Sequence, residues 1–139
     1  MAVARAEGAG RVIVVDDAST EDAVGAISAW AAKSAVPHEV LDPENPGAKA
    51  DSQNWLTIVA ARKNAGFSVS CNIGLRYVRD HTNAPFVLLL NNDAAVSKSY
   101  FVDLAAGIAN RPKVGLATGT MIVFGECFTI CSVTDCMIL

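Results

Sequence analysis

Phe86-Val87-Leu88-Leu89-Leu90-Asn91-Asn92-Asp93 is an unbroken apolar run that stops abruptly on two amides and a carboxylate. Five apolar residues behind Pro85 are too few to span a membrane, and they read as a strand buried on both faces of a parallel sheet. Ligands of open α/β sheets bind outside the carboxyl ends of the strands. Asn91, Asn92 and Asp93 therefore stand where a metal ion or a phosphorylated ligand would be gripped. The same grammar occurs upstream, where Val12-Ile13-Val14-Val15 runs into Asp16-Asp17 and then Ala18-Ser19-Thr20-Glu21-Asp22. A single acid in such a place often only caps the next helix or turn. Two apolar strands that end in acids and can be neighbours point to a site.

Outward from these two runs, strands and helices alternate. Ser19 or Thr20 is positioned to cap a helix with Glu21 and Asp22 in its first turn, Val24, Ile27 and Trp30 on one face, and Pro37 as its stop. A short strand around Glu39 to Leu41 follows, then a turn-rich loop from Asp42 to Asn54 containing Pro43, Pro46 and Gly47. Trp55 to Ala60 reads as a third strand. Asn64-Ala65-Gly66-Phe67 is a turn signal ahead of a helix from about Ser70 to His81, on which Ile73, Tyr77 and Val78 can pack inward. Phe101, Leu104, Ala105 and Ile108 set a helix over Ser99 to Asn110 that Pro112 stops. Val114 to Ala117 and Met121 to Phe124 are the last expected strands. The alternation implies an α/β fold with a mostly parallel sheet flanked by helices.

The 139 residues amount to one domain with a substantial core, because 52% are hydrophobic and only 18% charged. A formal charge of −3 without a basic stripe argues against nucleic acid as a partner. No stretch is apolar enough for a transmembrane segment and 1–10 lacks the middle of a signal peptide, so a cytoplasmic location is expected, with peripheral attachment to a membrane left open. Cys71, Cys127, Cys131 and Cys136 form no C-x-x-C pair, which speaks against zinc and a disulfide framework. Cys136-Met137-Ile138-Leu139 matches the C-a-a-X prenylation pattern, but no polybasic segment accompanies it. Arg62, Lys63 and Arg76 read as solvated charge, and Trp30 and Trp55 as core.

Four blocks in order, Val14-Val15-Asp16-Asp17-Ala18-Ser19-Thr20, Asn64-Ala65-Gly66-Phe67 with Asn72-Ile73-Gly74, Leu88-Leu89-Leu90-Asn91-Asn92-Asp93 and Val114-Gly115-Leu116-Ala117, resemble the signature of family-2 glycosyltransferases, closest to the rhamnosyltransferase-like branch. The resemblance covers about residues 12 to 124. It implies a Rossmann-like GT-A core that binds a nucleotide-diphosphate sugar and, with a divalent cation (Mg²⁺ or Mn²⁺), passes the sugar to a carbohydrate or other hydroxyl acceptor with inversion. By the same resemblance Asp93 holds the cation with Asn91, Asp17 faces the nucleobase beside Asp16, and Asn64, Gly66, Phe67, Asn72 and Asn92 line the donor pocket. Cys71 stands where a small or amide residue is expected.

The chain also departs from the family pattern. Members begin with an additional central strand and helix and continue into an acceptor-binding half that carries the general base. The expectation is therefore a partial, fragment-like core over 11–124, with an extension at 1–10, an atypical tail at 125–139, and no catalytic base in this sequence. A missing central strand leaves sheet edges open to self-association. Two other classes fit the same residues: a non-catalytic nucleotide-sugar-binding or interaction module, and a nucleotidyltransferase-like domain, for which Ala6-Glu7-Gly8-Ala9-Gly10-Arg11 is a faint echo of a glycine-rich phosphate loop.

Overall fold

The computed structural model describes residues 10–43, 54–92, 94–111, 113–117, 121–123, 126–128 and 137–138. The fold is α/β, and the chain divides into two compact units. The first holds β1 (Val12–Asp16), α1 (Ala23–Lys33), β2 (His38–Leu41), β3 (Leu56–Ala60), α2 (Phe67–His81), β4 (Leu89–Leu90) and β7 (Met137–Ile138), and the second holds α3 (Tyr100–Ala109), β5 (Met121–Val123) and β6 (Glu126–Phe128).

In the first unit the sheet order is β2-β3-β1-β7-β4. The strands β2, β3 and β1 are mutually parallel, Val14 opposite Ile58 and Val40 opposite Ile58. This trio is compatible with a Rossmann-like core. β3 has a partner on each side, and Leu56, Thr57 and Ile58 are fully buried. Side chains alternate along a strand, so Ile13 and Val59 fall on the face covered by α2, in one cluster with Cys71, Tyr77 and Val78. Val12, Leu56 and Ile58 fill the opposite face, and Ala31 of α1 is likewise fully buried.

The quoted run behaves differently from the expectation. Only Leu89 and Leu90 form a strand, and they pair antiparallel with β7 rather than entering a parallel ladder. Phe86, Val87 and Leu89 remain exposed. A five-residue apolar stretch is buried on both faces only if a long strand lies beside it, and β7 offers two residues. Because β1 and β4 are each antiparallel to β7, they run the same way.

Helix α1 is capped by Asp22, whose Oδ1 accepts from the Gly25 N–H at 2.9 Å, and not by Ser19 or Thr20; Ser19 instead bonds Asp16. Its end precedes Pro37: the Val36 N–H donates to the Ala31 carbonyl (2.9 Å) and the Ala35 N–H to that of Ala32 (3.2 Å), a Schellman closure. Ala35 has φ +52° there, a left-handed conformation that a Cβ opposes by about 1–2 kcal/mol and glycine adopts freely. Ala35→Gly is accordingly expected to raise stability by about 0.5–1 kcal/mol, read as a higher urea midpoint at unchanged m-value.

α2 begins at Phe67, three residues before the expected start, because Gly66 (φ +85°) turns the chain directly into it. In the second unit α3 matches its expected bounds, with Ser99 and Asn110 at its ends. Phe101, Leu104, Ala105 and Ile108 are half-buried along one side. Val114 to Ala117 is not a strand, and Leu116 is almost fully exposed; a run broken by Gly115 between a turn and 118–120 finds no ladder partner among the described residues. β5 pairs antiparallel with β6 in a sheet of two strands. No helix of the described residues is long and apolar enough to cross a membrane.

Candidate functional site

The parallel register brings several sequence-selected residues to one edge of the first unit. Asp16 is level with Ala60 and Leu41 with Val59, so the carboxyl ends of β1, β2 and β3 open together. The Ala61 N–H donates to the Asp16 carbonyl at 2.9 Å and ties the β3 exit to that of β1. Through β7, Leu90 is level with Val14. Two strand spacings separate them, about 10 Å. Asn91 and Asn92 follow Leu90 at this same edge.

Each acid of β1 has a local task. The Asp16 carboxylate accepts from the Ser19 hydroxyl and, at 3.4 Å, from the Ser19 N–H. Asp17 reaches across the edge, its Oδ1 accepting from the Ala65 N–H at 3.0 Å and its Oδ2 from the Gly66 N–H at 2.8 Å. Ala18 follows immediately in the left-handed region at φ +57°. Gly66 gives α2 no capping side chain of its own, so Asp17 supplies from another strand what a helix start needs. Partial burial pushes the Asp17 pKa up, but the N–H groups of Ala65 and Gly66 and the Ser70 hydroxyl outweigh it and hold the carboxyl below the ordinary aspartate value.

Of the other expected pocket residues, Asn64 is exposed on the loop that Asp17 holds, and Phe67 is half-buried against the core cluster. Asn72 lies exposed in the second turn of α2, and Asn92 is exposed in a turn. Cys71 is buried. Beside the edge, Arg62 pairs with Asp42 through Nε (3.1 Å) and Nη2 (2.6 Å).

The two positions expected to hold a cation fare unequally. Asp93 lies outside the described residues. Asn91 is half-buried, and its Oδ1 is shielded from solvent without a hydrogen-bond partner. An uncommitted carboxamide oxygen at a strand end is a donor that a hard divalent cation accepts. Among the described residues no three His, Cys, Asp or Glu side chains group closely enough to bind a metal by themselves.

A polar cluster that the sequence reading missed lies at the amino end of the strands. The Arg11 Nη1 donates to the Tyr77 hydroxyl (3.0 Å), which donates to Glu39 Oε1 (2.9 Å). Thr57 Oγ1 also donates to Glu39 Oε1 (2.9 Å) and lies 3.1 Å from the Tyr77 hydroxyl. The available signal was Thr57 itself, a hydroxyl inside the run Leu56-Thr57-Ile58-Val59 that must find a partner once both faces are buried. No family model, curated protein or solved structure matches the chain.

Proposed function

We propose that the first unit is the donor-binding core of a metal-dependent, inverting glycosyltransferase of family-2 type and GT-A fold, which binds a nucleotide-diphosphate sugar for transfer to a hydroxyl acceptor. The observation that carries this reading is the register, which sets Asp16, Asp17, the loop with Asn64 and Gly66, the start of α2 at Phe67, and Asn91 with Asn92 along one carboxyl edge. Ligands of α/β sheets bind at such an edge.

In this reading Asn91 and Asp93 hold Mg²⁺ or Mn²⁺, which when bound stabilises charge on the departing diphosphate as a Lewis acid. Asn64, Gly66, Phe67, Asn72 and Asn92 line the pocket, Asp16 fixes the turn beside it, and Asp17 belongs to its base-facing side. The acceptor oxygen attacks the anomeric carbon opposite the diphosphate. A general base is assigned to no residue of this chain.

Calorimetric titration with nucleoside diphosphates in Mn²⁺ tests the proposal. Saturable binding is expected, and chelating the cation should weaken it by about tenfold or more, the size of one contact to a charged group at roughly 1.5–3 kcal/mol. Absence of heat with every diphosphate, in Mn²⁺ and Mg²⁺ alike, would overturn it. The exposed Phe86, Val87 and Leu89 favour a second reading, a non-catalytic module that docks a partner through this run. Donor hydrolysis by a chain that binds the diphosphate separates the enzyme from that module.

A further inference from the structure

We infer that Asp17 is a positioning residue, shaping the donor pocket through the backbone of Ala65 and Gly66 rather than by touching the nucleobase. The inference rests on the donor-binding reading above and departs from the base contact that the resemblance implies.

Each Asp17 oxygen is already engaged, so a base would have to share it with a backbone amide or displace that amide. Both carboxylate oxygens already accept backbone N–H groups, at 3.0 and 2.8 Å, from residues 48 and 49 positions away. The Ser70 hydroxyl holds the same turn from the other side, donating to the Gly66 carbonyl at 3.3 Å. Turning toward a base would strip two amides at the start of a helix that has no other capping side chain. The two amides would lose a charged acceptor and be left without a partner, so this exchange is unfavourable. Held as it is, the carboxylate fixes the end of β1, the left-handed Ala18, the positive-φ Gly66 and the first turn of α2 in one frame. Asn64 and Phe67, assigned above to the pocket, flank the two amides it grips. Serving as a clamp, Asp17 influences every ligand that uses this loop and is indifferent to which base the ligand carries.

Two measurements on the full chain test this. Amide hydrogen exchange in wild type, Asp17→Asn and Ser70→Ala, the last removing one hydroxyl only, should show Ala65 and Gly66 protected in wild type and exchanging at least about tenfold faster in Asp17→Asn. Ser70→Ala, which loses only the bond to the Gly66 carbonyl, should change these rates far less, with Ile58 still protected as proof of folding. Calorimetry with the diphosphates of uridine, deoxythymidine, guanosine, cytidine and adenosine in Mn²⁺ should then show Asp17→Asn weakening each by the same factor.

A loss confined to one base, with the two amides unchanged, would overturn the inference, and so would unprotected Ala65 and Gly66 in wild type. Absence of diphosphate binding by wild type would defeat the donor reading instead, and the amide rates would still decide whether the clamp exists.

Discussion

Ile58→Ala is expected to lower the free energy of unfolding by about 2–5 kcal/mol, the range for truncating a buried branched side chain that leaves an unfilled cavity. Ile58 is fully buried in the middle of β3, the strand with parallel partners on both sides. Its backbone pairs with Val14 and with Val40, so the sheet cannot readily close over the void. Small domains have only about 5–15 kcal/mol in total, and a loss of this size threatens the folded state itself. Thermal or urea unfolding followed by circular dichroism measures it. Ile58→Val should cost about 0.5–1.5 kcal/mol. Val40→Ala, on the half-exposed outer strand, should stay near 0.5 kcal/mol or less. Equal effects at Ile58 and Val40 would mean that β3 is not the centre of the core.

Tyr77→Phe should have the next largest effect, about 1–3 kcal/mol, because it removes a hydroxyl on which three polar side chains converge and leaves each one partner short. It also predicts a pH signature. Burial raises the Tyr77 pKa first; the Thr57 hydrogen bond opposes this, the Glu39 hydrogen bond adds to it, the Arg11 charge opposes and the Glu39 charge adds, and the net shift is upward. The fold thus prefers the neutral phenol. Its contribution is complete below the unfolded value of about 10 and is lost as pH rises through the higher folded value. Urea midpoints of wild type should fall as pH rises above about 10, and Tyr77→Phe should lack that part of the decline. Asp17 gives the opposite limb. Its folded pKa is lowered, so its contribution is present above about pH 4 and disappears as pH falls through the folded value.

Legibility followed how much of each signal was local. β1 and β3 were readable because apolar, β-branched runs bounded by turn residues describe a buried parallel strand from its own composition, while β2, only partly buried, was legible as a short strand before the turn-rich loop. The α3 bounds were readable from Phe101, Leu104 and Ile108. The β4 run misled because burial of Phe86 and Val87 depends on what lies beside them, and the pairing with Met137 and Ile138 joins residues nearly fifty positions apart. The cap of α1 was misjudged because Ser19, Thr20 and Asp22 are all competent, and Asp16 captures Ser19. At the candidate site, the carboxyl-edge placement of Asp16 and Asp17 was visible in the pattern. That Asp17 holds Ala65 and Gly66 was not, since no local rule links residues 48 and 49 positions apart.

The two-residue rung of β7 is the seam of the sheet. Among the described residues β4 joins the frame only through Leu89 opposite Ile138 and Leu90 opposite Met137, whereas β1 and β3 share five paired positions. Cooperative opening begins where the fewest backbone bonds must break, so the segment that carries Asn91 is expected to exchange its amides before the trio does. A molecule spanning the ends of β1 and β4 would act as a crossbar over that seam. At a concentration of 100 times its dissociation constant it would add about 2.7 kcal/mol to the closed form, and the occupant of the edge would then become part of the architecture that holds it.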